Sequence, residues 1–251
     1  PTPRIDAEVI IFDTLNQDRS LLYTNPELEI SADTEKRIQA LTKQRCNGEP
    51  VAYIIGHTGF YDLDLTVTPA TLIPRPETES LVDAALSIIP SASQARILDL
   101  GTGTGAIAIS IAKHRPQADV TAVDISADAL DVAKKNAISN NTSRIKFIQS
   151  DWFSAITGCF DVIISNPPYI AADDKHLQQG DLRFEPGHAL HSGHEGLDAI
   201  THLLSHAQQF LNPNGFLIIE HGYTQQTKIM QIAEDYGYIK TEGHTDQNGH
   251  P

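Results

Sequence analysis

The stretch RILDLGTGTGAIAISIAK, residues 96–113, decides the fold of this chain. Residues 96–100 form a short, mostly apolar run that is typical of a buried strand. The glycine-rich turn 101–105 follows, and the apolar run after it predicts a helix that ends near residue 113. In a strand–turn–helix unit of this kind, glycines let a ligand approach the backbone closely. The stretch therefore predicts a nucleotide-binding βα unit.

Helix and strand patterns alternate from Glu77 onward. The predicted strands span residues 96–100, 119–124, 144–149, 160–165 and 215–220. The predicted helices span residues 77–89, 104–113, 127–139, 197–211 and 224–236. Repeated alternation predicts an α/β fold with a mostly parallel, seven-stranded-type sheet that helices cover on both faces. Ligands of such sheets bind beyond the carboxyl ends of the strands.

Three polar residues follow the predicted strands. Asp124 ends the strand after the glycine turn, where a carboxylate can accept ribose hydroxyls. Asp151 follows the next strand, and Asn166 follows the one after that. Because the carboxyl ends of parallel strands meet at one edge, we expect these residues and the glycine turn to surround one ligand site.

The segment Asn166-Pro167-Pro168-Tyr169 stands at the end of a predicted strand. Two prolines fix φ and remove two backbone donors, and a residue before a proline is pushed to extended geometry. The segment thus presents the Asn166 side-chain oxygen and a proline carbonyl as preorganised acceptors, beside the Tyr169 ring. This arrangement suits an NH2 group that is gripped by both of its hydrogens.

A small helical domain is predicted to precede the α/β region, over residues 1–50. Helical patterns run over about residues 5–15 and 31–46, with Ser31 as the N-cap and Gly48 as the C-terminal stop of the second helix.

A β-hairpin linker is predicted over residues 51–75. Alternating apolar and polar residues at 62–67 indicate one strand, and Val51–Ile55 are expected to supply the other. Residues 76–251 then form the main domain. Within it, the polar stretch 171–195 has little periodicity, and a lid or a substrate-docking loop fits its length.

Composition limits the function classes. The 251 residues carry a formal net charge of -14, which disfavours stable binding to nucleic-acid phosphates. Cys46 and Cys159 are too few for a disulfide framework and indicate a reducing cytoplasm. No apolar run approaches the ~20 residues of a membrane span. We interpret the loop histidines as solvated and expect no metal site; they are His188, His191 and His194.

Several short motifs occur together along the chain. In order they are GEP at 48–50, TLIPRPETE at 71–79, DLGTGTG at 99–105, SDWF at 150–153, NPPYI at 166–170, RFEP at 183–186 and EHG at 220–222. This set resembles the release-factor glutamine methyltransferase family (PrmC/HemK type) within the class I S-adenosylmethionine-dependent methyltransferases. The resemblance covers nearly the whole chain, and its motifs are specific as a set rather than singly.

The resemblance implies a cofactor, a substrate and their sites. The cofactor is S-adenosyl-L-methionine, and the substrate is the glutamine of the Gly-Gly-Gln loop of class 1 peptide chain release factors, methylated on its side-chain nitrogen N5. The implied cofactor-binding residues are Gly101, Thr102, Gly103, Thr104, Gly105, Asp124, Asp151, Trp152 and Asn166. The implied substrate-binding residues are Asn166, Pro167, Pro168 and Tyr169. Of these, Asn166, Pro167 and Tyr169 are the implied catalytic residues. Arg75 and Glu77 belong to a loop at the pocket and receive no role.

The chain departs from the family pattern at both ends. The helical N-terminal domain is shorter than usual, and the last strand of the sheet, after Asn248-Gly249, is missing. We expect the chain to lack residues of the native protein at both ends.

Three other functions remain open on the residues alone. A nucleic-acid amino-methyltransferase could grip the exocyclic nitrogen of adenine or guanine with the same Asn166 motif. A nicotinamide-dependent oxidoreductase fits Gly101, Gly103 and Ala106, which match G-x-G-x-x-A. A cofactor-binding adaptor without activity is the third, and the intact motif at Asn166 argues against it.

Overall fold

The structure of the chain is a computed structural model, and it describes residues 2–25, 27–245 and 249. The chain divides into two compact units, of which the first comprises residues 1–57 and 176–184 and the second comprises residues 58–175 and 185–251. The prediction that the last strand of the sheet is missing after Asn248-Gly249 concerns mainly residues 246–248, 250 and 251, which lie outside the described residues.

Helices build the first unit. They are α1 (Pro3–Leu15), α2 (Leu21–Thr24), α3 (Ala32–Cys46) and α4 (Val51–Ile55). The predicted N-cap is confirmed, since the Ser31 hydroxyl accepts a hydrogen bond from the Thr34 N–H at 3.1 Å. Helix α3 ends two residues before Gly48, whose φ of +92° stops the helix.

The prediction of a strand at Val51–Ile55 is wrong, because these residues form helix α4. Pro50 precedes the helix in extended geometry, and its carbonyl accepts hydrogen bonds from Tyr53 and Ile54. Gly56, with φ of +84°, ends the turn. The local caps override the strand preference of β-branched residues.

Arginines join the segment 176–184 to the helices of the first unit. The Arg45 guanidinium binds Asp6 at 2.7 Å and Asp181 at 2.9 Å. Arg183 donates to the Asn47 carbonyl at 2.8 Å. The polar loop that the sequence marks is therefore held here by ion pairs and hydrogen bonds within one unit.

Strands and helices alternate in the rest of the chain. The strands are β1 (His57–Phe60), β2 (Leu63–Thr66), β3 (Arg96–Leu100), β4 (Asp119–Asp124), β5 (Lys146–Gln149), β6 (Phe160–Ser165) and β7 (Leu211–Ile219). The helices are α5 (Glu79–Ile88), α6 (Ala106–His114), α7 (Ala127–Ser139), α8 (Asp198–His206) and α9 (Gln226–Asp235). The predicted hairpin exists as a two-stranded sheet of β1 and β2.

The main sheet confirms the predicted α/β class. Its five strands, as described, run parallel in the order β5-β4-β3-β6-β7. Strand β7 begins at Leu211, four residues earlier than predicted, because the turn-like segment 212–215 is absorbed as an irregularity in its pairing with β6. Asn214 takes a left-handed φ of +63° there.

Apolar side chains cover both faces of the sheet. Successive residues of a strand point to opposite faces, so Ile97 packs in one core with Val82 of α5 and Ile109 of α6. Leu98 packs in the other core with Leu203 of α8. This burial on both faces explains why the parallel strands read as nearly continuous apolar runs.

Asn136 links helix α7 to two other parts of the second unit. Its Oδ1 accepts a hydrogen bond from the Thr66 N–H at 2.8 Å, and its Nδ2 donates to the Thr66 carbonyl at 3.0 Å. The same Nδ2 donates to the Thr104 carbonyl at 2.9 Å. One fully buried amide thus pairs with the end of the hairpin and with the glycine turn.

Replacing Asn136 by alanine should lower the free energy of unfolding by about 1–3 kcal/mol, because backbone groups that it pairs would lose their partners. Denaturant unfolding measures the loss. Asn140→Ala is the matched control, since Asn140 lies one turn later and donates to carbonyls in a more exposed place. An equal loss in both variants would contradict the special role of Asn136.

Candidate cofactor and substrate site

The glycine turn is fixed to the end of the neighbouring strand β4. The N–H groups of Gly101 and Thr102 both donate to the Val123 carbonyl at 2.9 Å. Gly101, Gly103 and Gly105 have φ values of +72°, +55° and +84°, which residues with a Cβ rarely adopt. The turn therefore needs glycine at these three positions for conformational reasons.

The three glycines face different surroundings. A Cβ at Gly103 would meet no atom within 4 Å, and one at Gly101 would meet only the Trp152 ring, at 3.9 Å. A Cβ at Gly105 would lie 2.9 Å from Ile109 and 3.2 Å from Ala133. Gly105 thus serves helix packing, whereas Gly101 and Gly103 border open space that a ligand can fill.

Asp124 stands beside the glycine turn, as the sequence predicts. Its Oδ2 accepts a hydrogen bond from the Gly103 N–H, and its Oδ1 accepts one from the Ser126 N–H, both at 2.9 Å. Each carboxylate oxygen has a second lone pair. The carboxylate is therefore held in place by backbone donors while it retains the capacity to accept hydroxyl groups.

The turn after β5 brings Asp151 and Trp152 to the same edge. The Ser150 hydroxyl donates to the Trp152 carbonyl at 2.7 Å and accepts from the Ala155 N–H at 3.0 Å. Trp152 takes a left-handed φ of +46°. Its ring is half-buried near Gly101, whereas Asp151 is exposed.

Asn166 follows strand β6, which pairs with β3, the strand that leads into the glycine turn. Leu100 and Ser165 are register partners at the ends of β3 and β6, and the Ser165 hydroxyl donates to the Leu100 carbonyl at 2.7 Å. The Asn166 Nδ2 donates to Thr78 Oγ1 at 3.0 Å. Pro167, the next residue, is buried.

Tyr169 is held at both its hydroxyl and its backbone. The hydroxyl donates to Glu220 Oε1 at 3.3 Å, and the carbonyl accepts from Gln225 Nε2 at 3.0 Å. Gly196 packs so closely that a Cβ there would lie 2.1 Å from the backbone carbonyl oxygen of Tyr169. Burial, followed by the nearby Glu220 charge, raises the pKa of Tyr169, so the hydroxyl stays protonated.

Sequence reasoning did not foresee the contact residues Thr78, Glu220 and Gln225. Thr78 and Glu220 lie in the quoted motifs TLIPRPETE and EHG, but nothing local in those motifs indicates a contact with Asn166 or Tyr169. Gln225 has no such signal.

Arg75 forms an ion pair with Glu185. Its Nη2 lies 2.5 Å from Glu185 Oε1, and the Glu185 side chain is fully buried. Glu77 is exposed in the same loop, and its charge adds to the rise in the pKa of Glu220, which burial chiefly causes.

The loop histidines lie at the surface. His188, His191 and His194 are exposed, and no group of three or more metal-ligating side chains occurs in the part of the chain that the structure describes. No helix among those residues combines the length and apolar character that crossing a membrane requires.

Comparison with known proteins gives the family. Residues 1–56 match the family model for the PrmC N-terminal domain, and residues 81–182 match that for the methyltransferase small domain. The release factor glutamine methyltransferase of Xylella fastidiosa (strain 9a5c) is 48% identical over 94% of this chain and 86% of its own length. That of Escherichia coli (strain K12) is 43% identical over 96% and 87%. The chain belongs to the release factor glutamine methyltransferase family.

A solved structure supports the fold of this family member. A methyltransferase from Pyrococcus furiosus matches with a TM-score of 0.52 at 20% identity, over 86% of this chain and 94% of its own. The fold that brings the glycine turn, Asp124 and Asn166 to one edge is thus similar to that of a solved methyltransferase.

The electrostatics of this methyltransferase edge fit a cationic ligand. Asp99 is fully buried, its Oδ2 accepts from the Thr102 hydroxyl at 2.6 Å, and the Ala108 N–H also favours its charged form. Burial raises the pKa of Asp99 to about 7, and the charge of Asp124 adds to the rise. A positive ligand at this edge would oppose the rise, because a nearby cation favours the charged form of an acid.

The stability of the protein should depend on the protonation of Asp99. With its folded-state pKa near 7 and its unfolded value near 3.8, the folded chain holds a proton that the unfolded chain has lost. Stability therefore falls as pH rises between these values, by at most about 1.4 kcal/mol per pH unit.

Comparison with Asp99→Asn isolates this effect, since asparagine does not titrate. The free energy of unfolding of the wild type minus that of Asp99→Asn should decrease from about pH 4 to about pH 8. Asp131→Asn, at an exposed acid of α7, is the control. A pH-independent difference for Asp99→Asn would contradict the raised pKa.

Proposed function

We propose that this chain transfers a methyl group from S-adenosyl-L-methionine to the side-chain nitrogen N5 of the glutamine in the Gly-Gly-Gln loop of class 1 peptide chain release factors. The observation that carries the proposal is the position of the Asn166–Tyr169 acceptors directly beside the glycine turn, on neighbouring strands. Membership of the family, with relatives of that name at 43–48% identity, supports the choice of substrate.

The cofactor contributes an electrophilic methyl group on a sulfonium. The open side of the turn at Gly101 and Gly103 would hold its amino-acid part, with Thr102, Thr104 and Gly105 shaping the turn. Asp124 would accept the ribose hydroxyls, Asp151 would accept the exocyclic amine of the adenine, and Trp152 would lie beside that ring. A cation beside this turn would favour the charged form of Asp99, whose pKa burial raises.

Asn166 and Pro167 would grip the glutamine NH2. An amide nitrogen is a weak nucleophile because its lone pair is delocalised into the carbonyl. The Asn166 side-chain oxygen and the Pro167 carbonyl would each accept one N–H, which orients the nitrogen toward the methyl group and favours its rehybridisation. Positioning of this kind can contribute about 7–11 kcal/mol in favourable cases. Pro167 is buried, and Pro168 limits its backbone, so the acceptor is rigid.

Tyr169 would pack on the plane of the substrate amide. Its ring is restrained because Glu220 holds the hydroxyl and Gln225 holds the backbone carbonyl. The face of an aromatic ring attracts cations. The ring therefore suits the positive charge that moves from sulfur to nitrogen during the transfer and is lost when the nitrogen releases one proton to solvent.

The partner is a protein. A formal net charge of -14 disfavours phosphate-rich nucleic acids, and we expect no stable nucleic-acid binding. Since release factors act on ribosomes, the proposal places the reaction in the cytoplasm.

Two variants should separate cofactor binding from turnover. Asn166→Ala should lower kcat by about 10² because it removes a preorganised acceptor, with nearly unchanged cofactor affinity. Asp124→Ala should instead weaken S-adenosyl-L-methionine binding by about 1.5–3 kcal/mol through the loss of a charged acceptor. Calorimetry and single-turnover kinetics measure the two effects. A near-wild-type kcat in Asn166→Ala would remove the basis of the proposal.

The substrate should be the intact release factor rather than a peptide or a nucleic acid. Two glycines before the glutamine let its backbone enter a narrow cleft. A short Gly-Gly-Gln peptide should react with kcat/KM lower by about 10² because it must be ordered without contacts from the rest of the factor. Replacing the glutamine by asparagine should abolish transfer, since the shorter side chain cannot reach both acceptors.

One assay with labelled cofactor compares the release factor, its glutamine-to-asparagine variant, the peptide, duplex DNA and ribosomal RNA. Label in nucleic acid and none in the release factor would favour the amino-methyltransferase of nucleic acids instead.

A further inference from the structure

An asparagine can serve as an acceptor for a substrate NH2 only in one of two orientations. Its oxygen and its NH2 group exchange places when the amide turns by half a revolution, with almost no change in shape. The rigid backbone around Pro167 fixes where Asn166 begins but not which end of its amide faces the ligand. Another group has to select the orientation in which the oxygen is free.

Thr78 contacts one end of this amide. The Asn166 Nδ2 donates to Thr78 Oγ1 at 3.0 Å, so the Asn166 Oδ1 points away from Thr78. Thr78 is 4% exposed and ends the short 3-10 turn 76–78, directly before α5. A hydroxyl both donates and accepts, so Thr78 alone does not decide which end of the amide binds it.

Glu220 lies behind both residues. It follows β7, and its N–H donates to the Ser165 carbonyl at 3.0 Å, which places it beside the start of the Asn166 motif. Its Oε1 accepts the Tyr169 hydroxyl at 3.3 Å, and its Oε2 is buried with no hydrogen-bond partner among the described residues. Burial raises the pKa of Glu220, and the hydrogen bonds that its charged form accepts from the side chains of Thr78, Tyr169 and Asn166 oppose this rise.

An ionised carboxyl accepts hydrogen bonds and donates none. When Glu220 is ionised, the Thr78 hydroxyl directs its proton at the carboxylate, which leaves only lone pairs for Asn166, and the carboxylate itself can accept from the Asn166 NH2 group. Only the NH2 end of the Asn166 amide can bind those lone pairs, and the oxygen is left for the substrate.

We propose that Thr78 and Glu220 are positioning residues that fix the orientation of the Asn166 amide, so that its oxygen rather than its NH2 group faces the substrate. The same carboxyl orients Tyr169, so one acid controls both groups that would contact the substrate amide. This inference rests on the proposed function, and it adds two residues that would act through Asn166 and Tyr169 without touching the substrate.

Three variants test the direction of this chain of hydrogen bonds. Thr78→Val keeps the shape of the side chain and removes the acceptor, and Thr78→Ser keeps the hydroxyl. Glu220→Gln keeps the shape and adds an NH2 donor, which can reverse the chain by donating to Thr78. Thr142→Val is the control for the loss of a buried hydroxyl, because Thr142 bonds to the Ala137 carbonyl at the end of α7.

We expect Thr78→Val and Glu220→Gln to lower kcat with the release factor by about tenfold or more. The affinity for S-adenosyl-L-methionine, measured by calorimetry, should stay within about threefold of the wild type. Thr78→Ser should restore most of kcat, and Thr142→Val should lower the melting temperature with little effect on kcat. Wild-type kcat in both Thr78→Val and Glu220→Gln, or a parallel loss of kcat, cofactor affinity and melting temperature, would overturn the inference.

Nitrogen-15 NMR of the side-chain amides provides a readout that needs no turnover. The Asn166 NH2 signals, assigned by their loss in Asn166→Ala, should shift in Thr78→Val and stay in place in Thr78→Ser. Unshifted signals in Thr78→Val would overturn the inference even if kcat fell. A wild-type protein that does not methylate the release factor would instead overturn the proposed function, and the NMR comparison would still decide the orientation.

Discussion

Hydrogen bonds that join the ends of neighbouring strands hold the carboxyl edge of the main sheet. The Val123 carbonyl of β4 accepts from Gly101 after β3, the Leu100 carbonyl of β3 accepts from the Ser165 hydroxyl of β6, and the Ser165 carbonyl accepts from Glu220 after β7. These bonds continue the pairing beyond the regular ladder, where backbone groups would otherwise need water. Since every proposed ligand contact follows one of these strands or lies beside them, the geometry of the site depends on this row of bonds.

Much of the fold could be predicted because its signals are local. Buried parallel strands read as short apolar runs, and Ser31 could be recognised as an N-cap from its residue type and position. Val51–Ile55 could not be placed correctly, because its β-branched composition favours a strand while Pro50 and Gly56 close a helical turn around it. The early start of β7 was missed because Asn214 and its neighbours read as a turn.

The candidate site also contains residues that could be predicted from the sequence and residues that could not. The glycine turn, Asp124 and Asn166 each follow a recognisable strand, so a parallel topology brings them together. Thr78 and Glu220 could not be placed in this way, because their contacts span 88 and 51 positions of the chain. No periodicity or cap in the sequence indicates such pairs, and only the assembled sheet shows that one carboxyl lies behind both Asn166 and Tyr169.

The distribution of charge within the proposed site has a physical logic. A carboxylate in the place of the Asn166 oxygen would be a stronger acceptor, but it would also stabilise the positive sulfonium before the methyl group leaves it. An interaction that is stronger in the ground state than in the transition state slows the reaction. A neutral amide at the reacting centre avoids this cost. The Glu220 carboxyl lies behind it, where it can orient Asn166 directly and through Thr78 and can restrain Tyr169. At Asn166, a nearby acid thus acts through the direction of hydrogen bonds, whereas Asp99 and Asp124 lie at the glycine turn, on the side proposed for the cofactor.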